Sequence, residues 1–300
     1  MAAFTSTYMD MDAPCRWLRG NHHGHSTVSD GTLTPEQLLR VYEAAGYQYL
    51  ALSEHDCLLD TAPLQTQSSL CLLPAVEVTS CFKQTLMYLG ADRELPARQL
   101  TPRQIMDEVE ARGGLFVFDH PNWKPRPDYA TDELLDTMEG LRGMEVYCGV
   151  IERIAGQARA TDRWDRLLSK GWRVFGHGTD DQHEPVDHFI AWNCVQWQAG
   201  ETPTAGGIIA ALGTGRFYAS TGVAIARVGM DKEGRVVVES DADEIHWVKR
   251  GGAIFKKVRG GSDCLHLEEV GDPAQALYVR AECLGRGNAL AFTQPFWIES

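Results

Sequence analysis

Two histidines separated by one residue, His23 and His25, stand at the head of a run that could bind a metal ion. The run is HHGHSTVSDG, residues 22–31, and it follows the first apolar segment of the chain. Because alternate side chains of a strand project to the same face, both imidazoles would be presented to one cation. Asp30 follows after a short turn. Taken alone, the run fits a histidine-rich strand end satisfied by hydrogen bonds equally well, so a metal site needs further ligands from elsewhere.

Other residues that could bind a metal lie at the ends of other apolar runs. They are His55 after YLALSE, Glu77 in LLPAVEVTS, His120 after LFVFD, and Asp181 and His183 in GHGTDDQH. In a parallel β/α barrel the carboxyl ends of all strands open on one face, so residues far apart in sequence converge there. A set of imidazoles and carboxylates suits Zn²⁺, Mn²⁺ or Fe²⁺ better than a thiolate structural zinc. The sequence therefore predicts a metal centre on that face.

The elements that must position these ligands alternate along the first two thirds of the chain. Short apolar runs are followed by segments of helical period, which is typical of successive β-α units. The predicted strands are 17–22, 49–53, 70–78, 85–89, 115–119, 144–148, 173–176 and 189–195. The predicted helices lie near 34–46, 101–112, 131–139, 159–170 and 204–214. This pattern predicts an α/β fold.

The pattern changes near residue 222, where short alternating runs without helical spacing begin. These predicted strands are 235–239, 244–249, 276–282 and 289–298. Gly-rich turns join them. We therefore predict three parts: an irregular N-terminal segment of residues 1–15, an α/β domain of residues 16–221, and a small all-β C-terminal domain of residues 222–300.

Charge and cysteine content limit the functions open to this chain. Its 28 lysines and arginines stand against 41 aspartates and glutamates, a formal net charge of −13. Such a field repels nucleic-acid backbones and anionic lipids, so we expect a small-molecule substrate and neither a nucleic-acid nor a membrane partner. The eight cysteines are dispersed without a CxxC pair, as is typical of reduced core residues. No export signal or membrane span is visible, so the cytoplasm is the expected compartment.

In combination and in order, the motifs resemble those of the PHP (polymerase and histidinol phosphatase) superfamily of metal-dependent phosphoesterases. HGHSTVSDG is similar to its HxHTxxSDG motif, LSEHD to TDH, PAVEVTS to PGxE, FDHPNW to AHP, and TDDQH to SDAH. The resemblance covers residues 19–222, and the module containing YVRAEC resembles the extra β domain of a subset of these proteins. It implies a distorted (β/α)7 barrel with up to three metals at the carboxyl ends of the strands.

The resemblance implies roles only where residues match. The first metal would be held by His23, His25, Glu77 and Asp181. Glu77 would bridge to a second metal that His120 also binds. The third metal would be held by Asp30, His55 and His183. The expected catalytic residues are Glu77, Asp181 and His183.

The sequence departs from the family pattern at three positions. Members often carry a further second-metal histidine in a vHxLG segment, whereas this chain reads LMYLG, with Met87 at that point. Glu54 and Ser26 replace the more usual Asp and Thr. We therefore expect two or three divalent metals (Zn, Mn or Fe), with a second site that is weak, empty or completed by water.

We expect a metal-dependent hydrolase, namely a phosphoesterase that cleaves a small phosphorylated compound with a metal-activated hydroxide. Two alternatives stay open: a metal-dependent hydrolase of carboxylic, carbamate or amide esters on the same barrel, and a non-catalytic metal-binding module, which Met87 favours. Arg153, Arg159 and Arg173 are candidates for binding the substrate anion. Nothing in the pattern predicts an oligomeric state.

Overall fold

The structure, a computed structural model, describes residues 2–126 and 129–299 of the chain. The first ten strands are β1 (Ala3–Thr5), β2 (Cys15–Asn21), β3 (Tyr49–Leu52), β4 (Cys71–Thr79), β5 (Thr85–Leu89), β6 (Leu115–Phe118), β7 (Gly143–Cys148), β8 (Phe175–Thr179), β9 (Trp192–Gln198) and β10 (Phe217–Ser220). The helices between them are α1 (Pro35–Ala44), α2 (Ala62–Gln65), α3 (Pro102–Ala111), α4 (Asp132–Asp136), α5 (Thr161–Leu168) and α6 (Ala205–Gly213). No helix within the described ranges is both long and apolar enough to span a membrane.

The remainder of the chain is mostly β structure. Its elements are β11 (Ile225–Met230), β12 (Val236–Ser240), β13 (Glu244–Lys249), β14 (Ala253–Arg259), β15 (Ser262–Leu265), α7 (Pro273–Ala276), β16 (Tyr278–Leu284), β17 (Leu290–Thr293) and β18 (Phe296–Glu299). Strands β11, β12 and β15 form a separate three-stranded antiparallel sheet. This β-rich remainder agrees with the prediction from alternating apolar residues.

Two of the longer helices begin at reciprocal capping boxes. Thr34 accepts from the backbone N–H of Gln37, while the Gln37 side chain accepts from the Thr34 backbone. Thr101 and Gln104 make the same pair at the start of α3. Each box satisfies two backbone donors that the first helical turn leaves without partners, and a proline follows each threonine at the first position. The sequence signal TPxQ therefore fixes where both helices start.

One large sheet runs through most of the molecule, with mixed strand directions. Parallel pairs join β2 to β3, β3 to β4, β6 to β7 and β7 to β8, whereas β5 is antiparallel to both β4 and β6. Strand β9 lies antiparallel to β2 on the other side. The predicted α/β architecture is therefore confirmed.

A closed barrel is not shown by the strand pairing. Among the described residues, no continuous ladder joins β8 to β2 or β9. The two ends approach each other at an isolated parallel bridge between Gly24 and Gln182. The backbone N–H of Gly178 also donates to the Asn193 side chain at 3.0 Å. The distorted (β/α)7 barrel stays a prediction.

The sheet continues into the C-terminal part of the chain. Strand β10 pairs with β9 on one side and with β17 on the other. The predicted boundary at residues 221/222 falls between β10 and β11 and stays a prediction, because the pairing crosses it. The N-terminal segment predicted to be irregular contains β1, which pairs with β18. Three residues are too few for alternation to reveal a strand.

Candidate metal centre

The predicted ligands lie just past the carboxyl ends of the parallel strands. His23 and His25 follow β2, His55 follows β3, His120 follows β6, and Asp181 and His183 follow β8. Glu77 lies near the end of β4, and Asp30 lies in the loop before α1. Along β4 the side chains alternate, so Glu77 shares the inner face with Ala75 while Val76 and Val78 pack on the other side. The structure therefore brings all eight predicted ligands to one end of the fold.

Four side chains converge on one point. The Nε2 atoms of His23 and His25 each lie 3.2 Å from Oδ1 of Asp181. The same two nitrogens lie 3.4 Å and 3.2 Å from Oε2 of Glu77. All four atoms are buried and none has a hydrogen-bond partner. Donors at ~2.0–2.1 Å from one cation in tetrahedral arrangement would be about 3.3 Å apart, so this set fits a divalent metal.

Glu145, on β7, positions the first of these histidines. Its Oε1 lies 2.7 Å from Nδ1 of His23 and accepts from the hydroxyl of Thr179 at 2.5 Å. Its Oε2 accepts from the backbone N–H of His120 at 2.6 Å. A carboxylate on one imidazole nitrogen fixes the proton there and leaves the other nitrogen free to bind a metal. Glu145 is not among the residues predicted from the sequence, where its only signal is a glutamate in the middle of a buried strand.

A second group of donors lies nearer the surface. Asp30 places Oδ2 3.4 Å from Nε2 of His55 and Oδ1 3.4 Å from Nε2 of His183. Nδ1 of His25 lies 3.8 Å from Asp30, and Nδ1 of His55 lies 2.9 Å from Glu77. The side chain of Asp30 is 53% exposed. The three residues that the resemblance assigns to a third metal thus lie close enough together to bind one metal ion.

The charges in this end of the fold shift several pKa values. Burial alone would lower the pKa of His55, but the carboxylates of Glu77 and Asp30 raise it to about 11. Burial is opposed in the same way at His183, where a hydrogen bond to Asp30 and the charge of Asp181 raise the pKa to about 8. The carboxylates therefore attract positive charge, which protons supply where no metal is bound.

His120 faces the other oxygen of Glu77. Its Nε2 lies 3.3 Å from Glu77 Oε1 and 3.2 Å from the hydroxyl of Thr85. The hydroxyl of Tyr129 lies 3.2 Å from its Nδ1. The ring centroids of His23 and His120 are 5.8 Å apart, within the span of a binuclear centre. The two oxygens of Glu77 thus face different imidazoles, an arrangement that a bridging carboxylate requires.

Two of these residues have unusual backbone conformations. His120 has φ +28° and Asp181 has φ +49°, and neither is a glycine. Positive φ costs about 1–3 kcal/mol for ordinary residues and persists where the surroundings impose it. In both cases the strained residue follows a strand and turns a donor toward Glu77 or His23.

Met87 lies beside Glu77 but inside the apolar core. The two residues are paired across β4 and β5, so their side chains lie on the same face. Met87 is fully buried in a cluster that includes Leu73 and Val117. Two residues earlier on the same face, Thr85 reaches His120, a contact that the sequence analysis did not foresee. Met87 therefore packs in the core where many relatives of the resembled family carry a histidine.

The three arginines proposed as anion ligands have different positions. Arg153 lies at the cavity, where its guanidinium makes two hydrogen bonds to Asp187. Arg159 is not in the lining of the cavity, because Glu282 holds its guanidinium with two contacts of 2.7 Å. Arg173 also lies outside it, paired with Glu299 at 2.5 Å. Arg159 and Arg173 thus form ion pairs with the C-terminal part, outside the cavity lining, and their anion-binding role stays a prediction.

A cavity of about 410 Å³ opens above the donors. Its lining includes Asp30, His55, Glu77, His120, Asp181 and His183. A larger cleft, of about 710 Å³, lies at the other end of the strands among Pro74, Gly90, Leu115 and Ala205. That cleft contains none of the converging donors. The smaller cavity is therefore the candidate substrate site.

Comparisons with known proteins place the fold. No protein-family model matches the chain, and neither does any curated protein. Among solved structures, the chain is similar to a two-domain protein of Bacteroides vulgatus that contains a predicted PHP-like metal-dependent phosphoesterase. The identity is 18%, the TM-score is 0.54, and the match covers 97% of this chain and 99% of that one. At this identity the likeness shows a shared fold alone, and it agrees with the predicted α/β fold.

Two further solved structures match over part of the chain. One is a candidate metal-dependent phosphoesterase of Bifidobacterium adolescentis, with 17% identity, a TM-score of 0.43, and coverage of 56% of this chain and 88% of that one. The other is an amidohydrolase of Chromobacterium violaceum with bound sulfate and no metal. It has 17% identity, a TM-score of 0.40, and coverage of 55% and 88%. TM-scores this low support no further argument.

Proposed function

We propose that this chain is a metal-dependent phosphoesterase that cleaves a small phosphorylated compound. The observation that carries the proposal is the set of four buried donors from His23, His25, Glu77 and Asp181, which meet at 3.2–3.4 Å without hydrogen-bond partners. The fold shared with a protein that contains a predicted PHP-like phosphoesterase supports the same activity.

The donor groups suit two or three divalent metals, and imidazoles mixed with carboxylates favour Zn²⁺, Mn²⁺ or Fe²⁺. The first metal would be held by His23, His25, Glu77 and Asp181, and a further one by Asp30, His55 and His183. The second would rely on Glu77 and His120, because Met87 supplies no third protein ligand. A bound divalent metal lowers the pKa of a water and neutralises the charge that builds up on phosphoryl oxygens.

The chain's own residues keep these donors in place. Glu145 accepts a hydrogen bond from His23 Nδ1, so that Nε2 points toward the other donors. Nδ1 of His183 lies 2.9 Å from the backbone oxygen of Asp181, which leaves Nε2 toward Asp30. We retain Glu77, Asp181 and His183 as the proposed catalytic residues because all three line the cavity.

Two further observations support proposals about the barrel and the cellular compartment. The approach of Gly24 to Gln182 supports a distorted (β/α)7 barrel that closes between β8 and β2. The cysteines are all free in the described structure, which fits a reducing compartment and supports a cytoplasmic location. The domain boundaries 1–15, 16–221 and 222–300 are retained as proposals.

The test combines metal analysis with a substrate panel. Purified protein would be stripped of metal, reloaded with Mn²⁺ or Zn²⁺, and assayed against phosphate monoesters, phosphate diesters, carboxylic esters and amides. We expect phosphate ester turnover that needs metal and is lost in Asp181→Asn. A matched control is His246→Gln, since His246 lies on β13 and pairs with Glu244 away from the cavity. Turnover of carbonyl substrates alone, or metal binding without any turnover, would overturn the proposal.

A further inference from the structure

An apolar wall stands on one side of the candidate substrate cavity. It is formed by Trp123, Val150, Ile151 and Ile154. Val150 and Ile151 are buried together, and Trp123 packs against them. Ile154 is 37% exposed although it is a large apolar residue. The carboxylates and imidazoles described above line the rest of the cavity, so its lining has a charged part and an apolar part.

Two loops hold this wall by pairing with each other. Trp123, after β6, forms an antiparallel bridge with Gly156, after β7. The backbone N–H of Lys124 donates to the oxygen of Ala155 at 2.9 Å. Gly156 has φ +142°, and a Cβ there would lie 2.5 Å from the backbone oxygen of Asn122, so the close approach requires glycine. The wall is therefore formed before any substrate arrives.

The indole of Trp123 is fixed between two other rings. Its ring makes T-shaped contacts with His120, at a centroid distance of 5.1 Å, and with Tyr129, at 5.0 Å. His120 is itself one of the converging donors. A flat apolar surface is thus held next to the place where the phosphoryl group would lie.

The same cavity has little unpaired positive charge. Among the described residues of its lining, Arg153 is the only lysine or arginine. Asp187 holds its guanidinium at 2.9 Å and 2.8 Å, and Glu184 lies 3.7 Å away. With its charge already compensated, Arg153 would contribute little to binding a second phosphate.

Resting on the function proposed above, we propose that the site selects phosphoesters whose alcohol part is aromatic or apolar and carries no second phosphate. A phosphoryl group at the donors places the alcohol part against Trp123 and Ile154, where it loses apolar surface to water. A polar alcohol gains nothing from this wall. A second phosphate would meet the carboxylate of Glu184 and the already paired guanidinium of Arg153 rather than a free cation.

The experiment compares ligands with matched reactivity. The Mn²⁺-loaded protein would be assayed with benzyl phosphate, glycerol phosphate and fructose 1,6-bisphosphate, and with the methyl diesters of the first two. All are esters of alkyl alcohols, so leaving-group acidity does not dominate the comparison. Calorimetry with benzylphosphonate and hydroxymethylphosphonate, which are not hydrolysed, measures the same preference without turnover. We expect benzyl compounds to be favoured about tenfold or more in kcat/KM and in affinity.

Variants then assign the preference to the wall. Ile154→Ala should raise the KM for benzyl phosphate about fivefold and reduce its advantage over glycerol phosphate. Ile254→Ala is the matched control, because Ile254 on β14 is 45% exposed and does not line this cavity. Trp123→Leu keeps an apolar side chain but removes the flat ring, and should weaken benzylphosphonate binding more than hydroxymethylphosphonate binding.

The outcomes separate this inference from the proposed function. Equal affinity for the two phosphonates, or an unchanged preference in both Ile154→Ala and Trp123→Leu, would overturn the substrate class while leaving phosphoesterase activity intact. Preferential binding of benzylphosphonate without hydrolysis of any phosphate ester would support the pocket and overturn the function. Preference for fructose 1,6-bisphosphate would also refute the proposed class.

Discussion

Nδ1 of His23 lies 2.7 Å from Oε1 of Glu145, a residue 122 positions later in the chain. This contact links β7 to the run that follows β2, and both partners are completely buried. Because the proton shared with Glu145 stays on Nδ1, Nε2 of His23 keeps a free lone pair. This nitrogen can therefore bind a metal together with the three other converging atoms. The contact makes Glu145 a positioning residue for the candidate metal centre.

The first prediction concerns that residue. Glu145→Gln should weaken metal binding about 10–100-fold, because the neutral amide holds the imidazole less firmly and makes it a poorer ligand. Metal titration by calorimetry would measure the affinity. Glu282→Gln serves as a control, since Glu282 is a buried glutamate that pairs with arginines instead. Unchanged metal affinity in Glu145→Gln would show that the contact has no role in orienting His23.

The second prediction concerns the carboxylate that faces both His23 and His120. Although burial favours its neutral form, the charges of His23 and His55 hold the pKa of Glu77 well below its usual range. Glu77→Gln is nearly isosteric but removes this charge. We expect a loss of about 100-fold or more in kcat with little change in the circular dichroism spectrum. Wild-type turnover with metal still bound would remove Glu77 from the mechanism.

The third prediction is a pH dependence of metal affinity. His183 and His55, with pKa values raised to about 8 and about 11, carry protons near neutrality when no metal is bound. These protons must leave before the imidazoles bind metal, so affinity should rise with pH, by about tenfold per pH unit for each proton released. Calorimetry in two buffers of different ionisation enthalpy would count the protons. Binding without proton release would contradict the assignment of both histidines as ligands.

The fourth prediction concerns the contact between the two parts of the chain. Arg280 on β16 is almost fully buried and holds Asp165 of α5 at 2.6 Å and Glu282 at 2.7 Å. Arg280→Ala should lower the free energy of unfolding by about 3–5 kcal/mol, because the buried carboxylate of Asp165 loses its arginine and that of Glu282 keeps only Arg159. Arg227→Ala, which removes an exposed pair with Glu239, should cost at most about 1 kcal/mol. If thermal and urea unfolding show the same small loss of unfolding free energy in both variants, a structural role for Arg280 is refuted.

Residue types and spacing predict the convergence of the donors because these residues follow short apolar strands in sequence. The HxH spacing and the ends of YLALSE and LFVFD identify donors that parallel strands bring together. Glu145 and Thr85 escaped prediction because each lies inside a strand, where one polar residue is not distinguishable from an ordinary alternation. Their contacts depend on which strands are neighbours, and this is not encoded locally.

The direction in which neighbouring strands pair is the part of the fold that the sequence does not predict. Short apolar runs predict strands but not their direction, and β5 returns antiparallel between two parallel pairs. The arginines illustrate the same limit, since an exposed cation in sequence is equally able to bind a substrate or a carboxylate. For Arg159 and Arg173 the partners are Glu282 and Glu299, more than 100 residues away along the chain, with separations of 123 and 126.

The last prediction concerns Met87, which is paired with Glu77 across β4 and β5. Side chains directly opposite on one face have Cβ atoms about 4.5–5.5 Å apart, so an imidazole at this position would lie within reach of a metal held by Glu77 and His120. The methionine thioether is neutral and soft, and therefore a poor ligand beside hard carboxylates. We expect Met87→His to raise metal stoichiometry or affinity, measured by metal analysis and calorimetry.

Leu89 supplies the control, because it lies on the same face of β5 but is paired with Ala75, away from the donors. Without metal, both Met87→His and Leu89→His should lower the melting temperature, since burying an unpaired polar ring costs about 1–3 kcal/mol. Added Mn²⁺ or Zn²⁺ should restore the melting temperature of Met87→His alone, because only that imidazole reaches the metals. If Met87→His melts low with unchanged stoichiometry and metal rescues neither variant, position 87 belongs to the core and the second site is completed by other groups.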